Sequence, residues 1–331
     1  MHLHTQELFR YTSMLLFTRR QLLLEDYLRL IRLPNLFTVP SNILVGYLAL
    51  ITPLHTDVLQ LLLLATSSIL LYASGLIFND YFDIETDLKE RPYRPLPSGK
   101  ISKRTACTIG VASMVSANLA AFFAGGPNGC VVSGLVSIIV ISYNYKLKET
   151  NFGPVAMGLA RSANVILGGS PALYLILQNN NLFARIAFIT IFIFGYIFSI
   201  SLLSRKEVQL DENQKESETI LSNSRATVVK CFSIVFFIAA CLIILVFLGI
   251  FRQELFVNLA LFLAIIIMIL VIQTEFGYSS SRLRYTIQNM VISIIVFDSI
   301  FVSGVAGLDY GLPVLVLVIP AVALSRRLYM T

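Results

Sequence analysis

Long apolar stretches separated by short polar loops dominate this chain from residue 34 almost to its C-terminal end. Each is long enough, or in the last case nearly long enough, to span ~30 Å of hydrocarbon as a helix. The stretches are 34–53, 58–79, 104–124, 129–145, 154–177, 182–203, 227–250, 254–273, 286–307 and 310–325. Backbone polar groups in lipid must bond internally, and nothing alternates with the two-residue period of a membrane barrel. The pattern therefore predicts an all-α, polytopic membrane bundle of ten helices, or of nine helices and one re-entrant segment.

The first 33 residues are expected to form an N-terminal arm, 1–33, ahead of one membrane domain over 34–327. Within the arm, 22–33 has the pattern of an amphipathic helix lying on the membrane, with Arg29 and Arg32 at the lipid headgroups. Further arginines among leucine and phenylalanine earlier in the arm leave a transit peptide as the alternative.

Composition and charge agree with a membrane protein. Of the 331 residues, 56% are hydrophobic and 13% are charged, with a mean hydropathy of +0.78. Lys and Arg gather in the N-terminal arm and in the loops after segments two, four, six and eight, which is typical of cytoplasmic loops. The sequence predicts a multi-pass protein of the cell inner membrane with these loops cytoplasmic. The net charge of +6 is explained by topology and anionic membrane lipid, and does not indicate a nucleic-acid partner.

The acidic motif NDYFDIETD at 79–87 lies where the second apolar stretch ends. If the helix continues through it, Asn79, Asp83 and Asp87 recur every four residues on one face, with Asp80 beside them. Carboxylates at this spacing repel one another unless a cation lies among them. Hard oxygen ligands suit Mg²⁺, which takes one or two carboxylates together with substrate phosphates. The motif predicts half of a diphosphate site; a solvated helix end is the alternative.

A proline-stiffened loop, RPYRPLPSGK at 91–100, follows the acidic motif. Prolines reduce the entropy lost when such a loop is ordered. Arg91 and Arg94 offer planar, paired donors that match phosphate oxygens. Metal-binding carboxylates and phosphate-binding arginines are then expected on one surface. Alternatively, the arginines neutralise the acids and follow the basic bias of the loops, which does not account for the prolines.

Four pieces of the chain together resemble the UbiA superfamily of intramembrane prenyltransferases. They are RLPN at 32–35, NDxxDxxxD at 79–87, RPxRPLPSGKIS at 91–102 and YNYKLK at 143–148. The resemblance implies a helical bundle with a central cavity, in which two acidic motifs and Mg²⁺ hold an isoprenyl diphosphate. Ionisation of the carbon–oxygen bond would yield an allylic cation that alkylates a hydrophobic, commonly aromatic, acceptor. The implied activity is that of a Mg²⁺-dependent prenyltransferase.

The resemblance also implies roles for individual residues. The expected catalytic residues are Asp83, Asp87 and Lys148. The expected metal ligands in the first motif are Asn79, Asp80, Asp83 and Asp87, with Asp80 alternatively paired to a nearby arginine. The expected diphosphate-binding residues are Arg91, Arg94, Tyr143, Lys148 and Arg205. For Tyr143, a position in the interfacial aromatic belt is the alternative.

The second acidic motif departs from the family pattern. Family members usually place DxxxD, followed by Gly and Thr, after segment six, whereas this chain has SRKEVQLDE at 204–212. Glu207 and Asp211 are four residues apart and are predicted to serve as the second pair of metal ligands. Either Arg205 replaces one metal ion as a direct phosphate clamp, or the site has lost ordinary prenyl transfer.

The SRKEV string, together with Gly153-Pro154 and the run at 157–164, is similar to a UbiA-like branch found with ebo gene clusters. A role in moving or modifying precursors of exported metabolites has been suggested for that branch. The alternative function is therefore a catalytically altered protein that binds and translocates a lipid-like or aromatic precursor.

Charged residues inside the apolar segments are expected to have partners. Arg161 lies about two turns into the fifth segment, Asn164 is on nearly the same face, and Asp298 is near the middle of the ninth. Two interpretations are open. These residues form a structural ion pair or hydrogen-bonded cluster, or Arg161 and Asn164 line the cavity and bind the acceptor.

Overall fold

The computed structural model describes residues 26–28, 30–51, 55–212 and 280–325, together with 246–253 and scattered positions between 233 and 263. Regular structure among these residues is helical, and the predicted all-α fold is confirmed. The α-helices with described bounds are α1 (Leu33–Leu36), α2 (Thr38–Leu50), α3 (Val58–Phe82), α4 (Ile84–Glu90), α5 (Lys103–Tyr145), α6 (Gly153–Gly168), α7 (Asn180–Glu212), α8 (Ser280–Ala306), α9 (Leu308–Val314) and α10 (Val318–Ser325). Short 3₁₀ helices cover Leu147–Glu149, Ser170–Leu177 and Leu315–Leu317.

Several helices are long and apolar enough to cross a membrane. Among the described residues these are Val58–Phe82, Lys103–Tyr145, Asn180–Arg205, Arg284–Ala306 and Leu308–Ser325. Most of the predicted segments 227–250 and 254–273, and most of the N-terminal arm, lie outside the described residues. A total of nine or ten helices therefore stays a prediction.

Polar side chains define where α3 and α5 begin. Asp57 Oδ1 accepts hydrogen bonds from the backbone N–H groups of Leu59 and Gln60, at 2.9 and 3.2 Å. Ser102 Oγ accepts one from the N–H of Thr105, at 3.0 Å. Each cap satisfies donors that the first turn of a helix leaves unpaired. The helices that cover the apolar stretches 58–79 and 104–124 therefore begin directly after capping residues, Asp57 and Ser102.

Helix α5 consists of two antiparallel arms. Gly126 has a φ of 58° and a ψ of −146°, which glycine adopts readily, and Pro127 begins the second arm. Ser133 Oγ donates to Asn118 Oδ1 at 2.8 Å, and Asn118 Nδ2 donates to Ser137 Oγ at 3.0 Å. These bonds join one arm to the other. The arms correspond to the third and fourth predicted segments.

An aromatic seam joins α7 to α8 inside the main core. Ring centroids of Phe192 and Phe297 are 3.8 Å apart, and those of Tyr196 and Phe297 are 5.2 Å apart. The buried Tyr196 hydroxyl donates to the carbonyl of Met290 at 3.1 Å, which satisfies its polar end. The seam fixes α8, which in turn packs on α2.

A second, smaller hydrophobic cluster lies beside the acidic motif. It consists of Leu30, Ile77, Leu96, Ile101 and Ala106. Leu96 and Ile101 belong to the proline-containing loop, and Lys100 Nζ in the same loop lies 3.0 Å from Asp26 Oδ1. The loop is therefore anchored at both its apolar and its charged positions. This anchoring holds Arg94 beside the motif.

Glycines allow α2 and α6 to approach each other closely. A Cβ at Gly46 would lie 1.8 Å from the carbonyl oxygen of Val165, and one at Gly168 would lie 2.3 Å from that of Ile43. Small residues at helix contacts permit such backbone approach inside a membrane. The crossing brings Arg161 and Asn164 on α6 towards α2.

We expect Gly46→Ala to destabilise the protein, because the new methyl group must displace the α6 backbone and overpacking costs ~1–3 kcal/mol. Thermal unfolding of the detergent-purified protein would measure the loss. Gly134→Ala is the matched control, since a Cβ there meets only Asn118 Oδ1, at 3.9 Å. Equal unfolding temperatures for the two variants would contradict the tight α2–α6 crossing.

Candidate functional site

A cavity of about 800 Å³ lies among α3, α5, α6, α7 and α8. Its polar lining extends along α3 from a motif end to an inner level, with Asn144 and apolar side chains such as Leu76 and Val140 between them. The motif end of the cavity is lined by Arg32, Asn35, Asn79, Glu90, Arg91, Tyr143 and Arg284. The inner level is lined by Ser68, Tyr72, Arg161 and Asn164. Asn79 and Ser68 are eleven residues apart on α3, so the polar lining extends over ~16 Å of this helix.

The acidic motif spans a break between two helices. Helix α3 ends at Phe82, α4 begins at Ile84, and Asp83 lies between them with a φ of −86° and a ψ of 3°. The Asp83 N–H still donates to the Asn79 carbonyl at 3.0 Å, and the Asp87 N–H donates to the Asp83 carbonyl at 2.8 Å. The four-residue hydrogen-bond spacing thus continues through the motif, although Asp83 itself departs from helical geometry.

Asp80 and Asp87 share one arginine. Both carboxylates are buried, and Arg94 Nη1 lies 2.7 Å from Asp87 Oδ2 and 3.4 Å from Asp80 Oδ1. Arg32 Nη2 lies 3.8 Å from Asp80 Oδ1. Asp80 is thus paired with arginine, one of the two roles expected for it. Of the two loop arginines, Arg94 neutralises the acids, whereas Arg91 lines the cavity.

Asp83 has a different partner, Lys148. The Lys148 ammonium forms an ion pair with Asp83 Oδ1. Lys148 lies on the 3₁₀ turn that directly follows α5, so the end of α5 meets the end of α3. The Asp83 side chain is 28% exposed, whereas those of Asp80 and Asp87 are 7% and 5% exposed. Asp83 is therefore the most accessible of the three predicted acidic ligands in the first motif.

Arg205 is bonded to the segment that carries Lys148. Its Nη2 donates to the Lys148 carbonyl at 2.7 Å and to the Thr150 carbonyl. Ser201 and Ser204 on the same helix line the cavity, whereas Arg205 is not among its described lining residues. Glu207 and Asp211 lie on the helical backbone of α7, but their side chains fall outside the described part of the chain. Their predicted role as second-motif ligands stays a prediction.

The buried charges of α6 and α8 form a hydrogen-bonded cluster through α2. Arg161 donates to the Thr38 carbonyl at 3.0 Å, to Thr38 Oγ1 at 2.8 Å and to Asn42 Oδ1 at 2.9 Å. Asn42 Nδ2 donates in turn to Asp298 Oδ2 at 2.8 Å, and Ser41 Oγ donates to the same oxygen at 2.5 Å. Asn42 is thus a bridge between the two opposite charges.

The same cluster faces the cavity. Arg161 Cζ lies 5.2 Å from the ring centroid of Tyr72, a cation–π distance. Asn164 Oδ1 accepts a hydrogen bond from Ser68 Oγ at 2.5 Å. The hydrogen-bonded cluster and the polar cavity lining, which the sequence presented as alternatives, are therefore both features of Arg161 in the structure.

Oxygen donors at the motif end fit Mg²⁺ in chemical kind. Asn79, whose side chain carries an amide oxygen, lines the cavity, and Asp83 offers a partly exposed carboxylate. Within the described ranges, no three His, Cys, Asp or Glu side chains converge on one point. Arg94 and Lys148 hold the acids in two separate ion-paired groups.

Two lining arginines were not identified as site residues from the sequence. Arg32 has a left-handed backbone conformation, with φ 44° and ψ 58°, and lies between Asp80 and the cavity. Its signal was its place in the RLPN string. No local pattern distinguishes Arg284, which reaches the cavity because α8 packs against α2 and α7.

Comparison with known proteins identifies a family and several relatives. Residues 39–274 match the model described as the UbiA prenyltransferase family. The chain is similar to digeranylgeranylglyceryl phosphate synthase of Saccharolobus solfataricus, 29% identical over 147 residues, which cover 44% of this chain and 51% of the relative. The corresponding protein of Methanosphaera stadtmanae is 27% identical over 183 residues, which cover 54% of this chain and 63% of the relative. The chain thus spans between half and two thirds of the length of these curated relatives.

Solved structures share the fold. A UbiA homolog from Archaeoglobus fulgidus bound to DMAPP and Mg²⁺ aligns with a TM-score of 0.60 at 18% identity, covering 88% of this chain and 99% of that one. The apo structure of a UbiA homolog from Aeropyrum pernix K1 aligns with a TM-score of 0.60 at 16% identity, covering 81% and 96%. At these identities the likeness is one of architecture.

Proposed function

Because the chain belongs to the UbiA prenyltransferase family, we propose that it transfers an isoprenyl group from its diphosphate to a hydrophobic acceptor, aromatic or lipid-like, within the membrane. The cavity carries the proposal. Its motif end presents Asn79, Arg91 and Tyr143 beside the paired acids, and apolar walls continue from there into the bundle. Such a cavity suits a ligand with one highly charged end and one apolar end. Relatives named as digeranylgeranylglyceryl phosphate synthases support the same chemistry and a lipid-like acceptor.

Mg²⁺ is the proposed cofactor, because carboxylate and amide oxygens are the donors it prefers. Asn79 and Asp83 are the residues best placed to hold it, with Asp80 and Asp87 adjacent and Glu207 and Asp211 proposed from the second motif. When bound, the ion supplies electrostatic stabilisation for the departing diphosphate. A homolog solved with DMAPP and Mg²⁺ supports this assignment.

The chain's own cations and hydrogen-bond donors are proposed to bind the diphosphate and stabilise its growing charge. As the carbon–oxygen bond breaks, the electron pair passes to the diphosphate oxygen, where Arg91, Lys148 and the Tyr143 hydroxyl would donate hydrogen bonds. Arg94 acts beside them, by fixing Asp80 and Asp87. The apolar walls exclude water from the allylic cation until the acceptor forms the new bond and loses a proton.

The basic residues near the motif support a cytoplasmic orientation for this end. Four basic residues from separate parts of the chain lie near the acidic motif: Arg32, Arg94, Lys148 and Arg205. The first comes from the N-terminal arm, and the others come from three separate loops or loop ends. Because cytoplasmic loops are enriched in Lys and Arg, we propose that the motif end faces the cytoplasm in a cell inner membrane.

We expect the purified protein to release pyrophosphate from at least one prenyl diphosphate in the presence of Mg²⁺ and a suitable acceptor, and to stop when EDTA removes the metal. The assay would use dimethylallyl, geranyl, farnesyl and geranylgeranyl diphosphates, each with 4-hydroxybenzoate or a prenylated glycerol phosphate as acceptor. Tight binding of the diphosphates without release in any combination would overturn prenyl transfer. That outcome would favour the alternative, in which the protein binds and translocates a precursor.

A further inference from the structure

The Arg205 side chain spans from α7 to the turn that carries Lys148. One nitrogen, Nη2, donates to the carbonyls of both Lys148 and Thr150. These carbonyls lie within and just after the 3₁₀ turn Leu147–Glu149, whose first carbonyl, that of Leu147, also accepts a hydrogen bond from Thr150 Oγ1 at 2.8 Å. The guanidinium therefore adds a restraint from another helix at the point where the Lys148 side chain leaves the backbone.

Gly153 leaves the room that this guanidinium needs. A Cβ at Gly153 would lie 2.4 Å from Arg205 Nη2, and 3.1 Å from both the Leu147 carbonyl oxygen and the Lys148 Cα. Two of the three neighbouring atoms belong to the backbone of the turn and cannot move independently of it. Gly153, the first residue of α6, thus leaves space for the contact between Arg205 and the turn.

We propose that Arg205 is a positioning residue that holds Lys148 in place against Asp83. The Nη2 nitrogen carries two N–H groups, one for each of the two carbonyls. Because Nη2 is engaged by the turn, Arg205 serves the diphosphate through Lys148. The altered second motif then contributes to the site by anchoring the lysine that pairs with Asp83 of the first motif. The catalytic consequence rests on the proposed prenyl transfer, whereas the structural contact does not.

Lysine acetylation followed by mass spectrometry tests the contact without relying on activity. Lys148 is 15% exposed and ion-paired, whereas Lys146 is exposed and serves as an internal reference. In Arg205→Gln, acetylation of Lys148 relative to Lys146 is expected to rise by roughly fivefold or more, since local opening frees the amine.

The same helix offers a matched control. Arg185 lies near the other end of α7, where it donates to the carbonyls of Ile250 and Ala49. Arg185→Gln removes the same kind of contact and is expected to leave Lys148 acetylation unchanged. Gly153→Ala keeps the arginine but displaces its guanidinium, and is expected to act like Arg205→Gln. Unchanged Lys148 reactivity in both Arg205→Gln and Gly153→Ala would overturn the proposal.

A double-mutant cycle tests the catalytic consequence. Arg205→Gln is expected to lower kcat for pyrophosphate release by about tenfold, because the two charged hydrogen bonds that hold the Lys148 turn are lost. In a Lys148→Ala background the same change should have little further effect, because both variants remove one function. A full multiplicative loss, or a loss confined to KM for the diphosphate, would instead identify a direct phosphate clamp. If the wild type releases no pyrophosphate, the proposed prenyl transfer is wrong. The acetylation experiment still tests whether Arg205 holds the turn that carries Lys148.

Discussion

Asp83→Asn is expected to lower Mg²⁺-dependent pyrophosphate release by about a hundredfold or more, because it removes a proposed metal ligand and the partner of Lys148 together. Asn keeps the size of the side chain and one carbonyl oxygen, so the charge is the main change. Asp83 is more exposed than Asp80 and Asp87, which are buried against Arg94. Its loss should therefore affect catalysis more than folding.

Steady-state release measured over a Mg²⁺ titration checks this prediction. Glu85→Gln is the matched control, since Glu85 lies on α4 two residues after Asp83, is exposed, and has been assigned no ligand role. The control should retain near wild-type turnover and unfolding temperature. Wild-type turnover in Asp83→Asn at every Mg²⁺ concentration would rule out Asp83 as an essential ligand.

Arg161→Met is expected to destabilise the protein by about 1–3 kcal/mol, because buried oxygens of Thr38 and Asn42 lose their charged hydrogen-bond donor. The change removes the donor to Thr38 and to Asn42 Oδ1, and leaves the fully buried Asp298 without its countercharge. Asn42 would still donate to Asp298, but its own oxygen would lose its partner. Met approximates the length of the side chain, so the loss of charge and hydrogen bonds dominates.

Thermal unfolding in detergent at a fixed scan rate measures the effect, because membrane proteins often unfold irreversibly. Adding Asp298→Asn to Arg161→Met should recover part of the lost stability, since neither variant position then carries an unpaired buried charge. Arg104→Met, at an exposed position near the start of α5, should change stability by less than ~0.5 kcal/mol. Wild-type stability of Arg161→Met would show that the charge cluster does not hold α2, α6 and α8 together.

Much of the architecture follows from local pattern. Apolar length predicted α3, the two arms of α5 and α8, because a chain in lipid must satisfy its backbone within each helix. The break between the arms of α5 is marked by Gly126 and Pro127, whose backbone preferences are intrinsic to those residues. Asn79 and Arg91 were likewise identifiable as candidates from residue type and spacing, and both line the cavity.

Local patterns do not predict which charged side chains pair between helices. Spacing places Asp80, Asp83 and Asp87 near one another, but it does not say that Arg94 engages two of them and Lys148 the third. The departure from the family pattern left a phosphate clamp as one role for Arg205, which stays a prediction. That pattern did not indicate that the guanidinium bonds the backbone of a neighbouring turn.

The sequence alone was enough to recognise a helical membrane protein with an acidic motif, since helix formation and the spacing of side chains on one helix are local properties. The partners of those side chains depend on how helices pack. Asn42 and Asp298 meet across 256 residues of chain, a contact that exists because close packing brings α2 and α8 together. Because an ion pair is strong only when its charges lie within a few ångströms, small differences in helix position determine the partner of each charged side chain. The tertiary structure accordingly determines how the acidic motif is divided between Arg94 and Lys148.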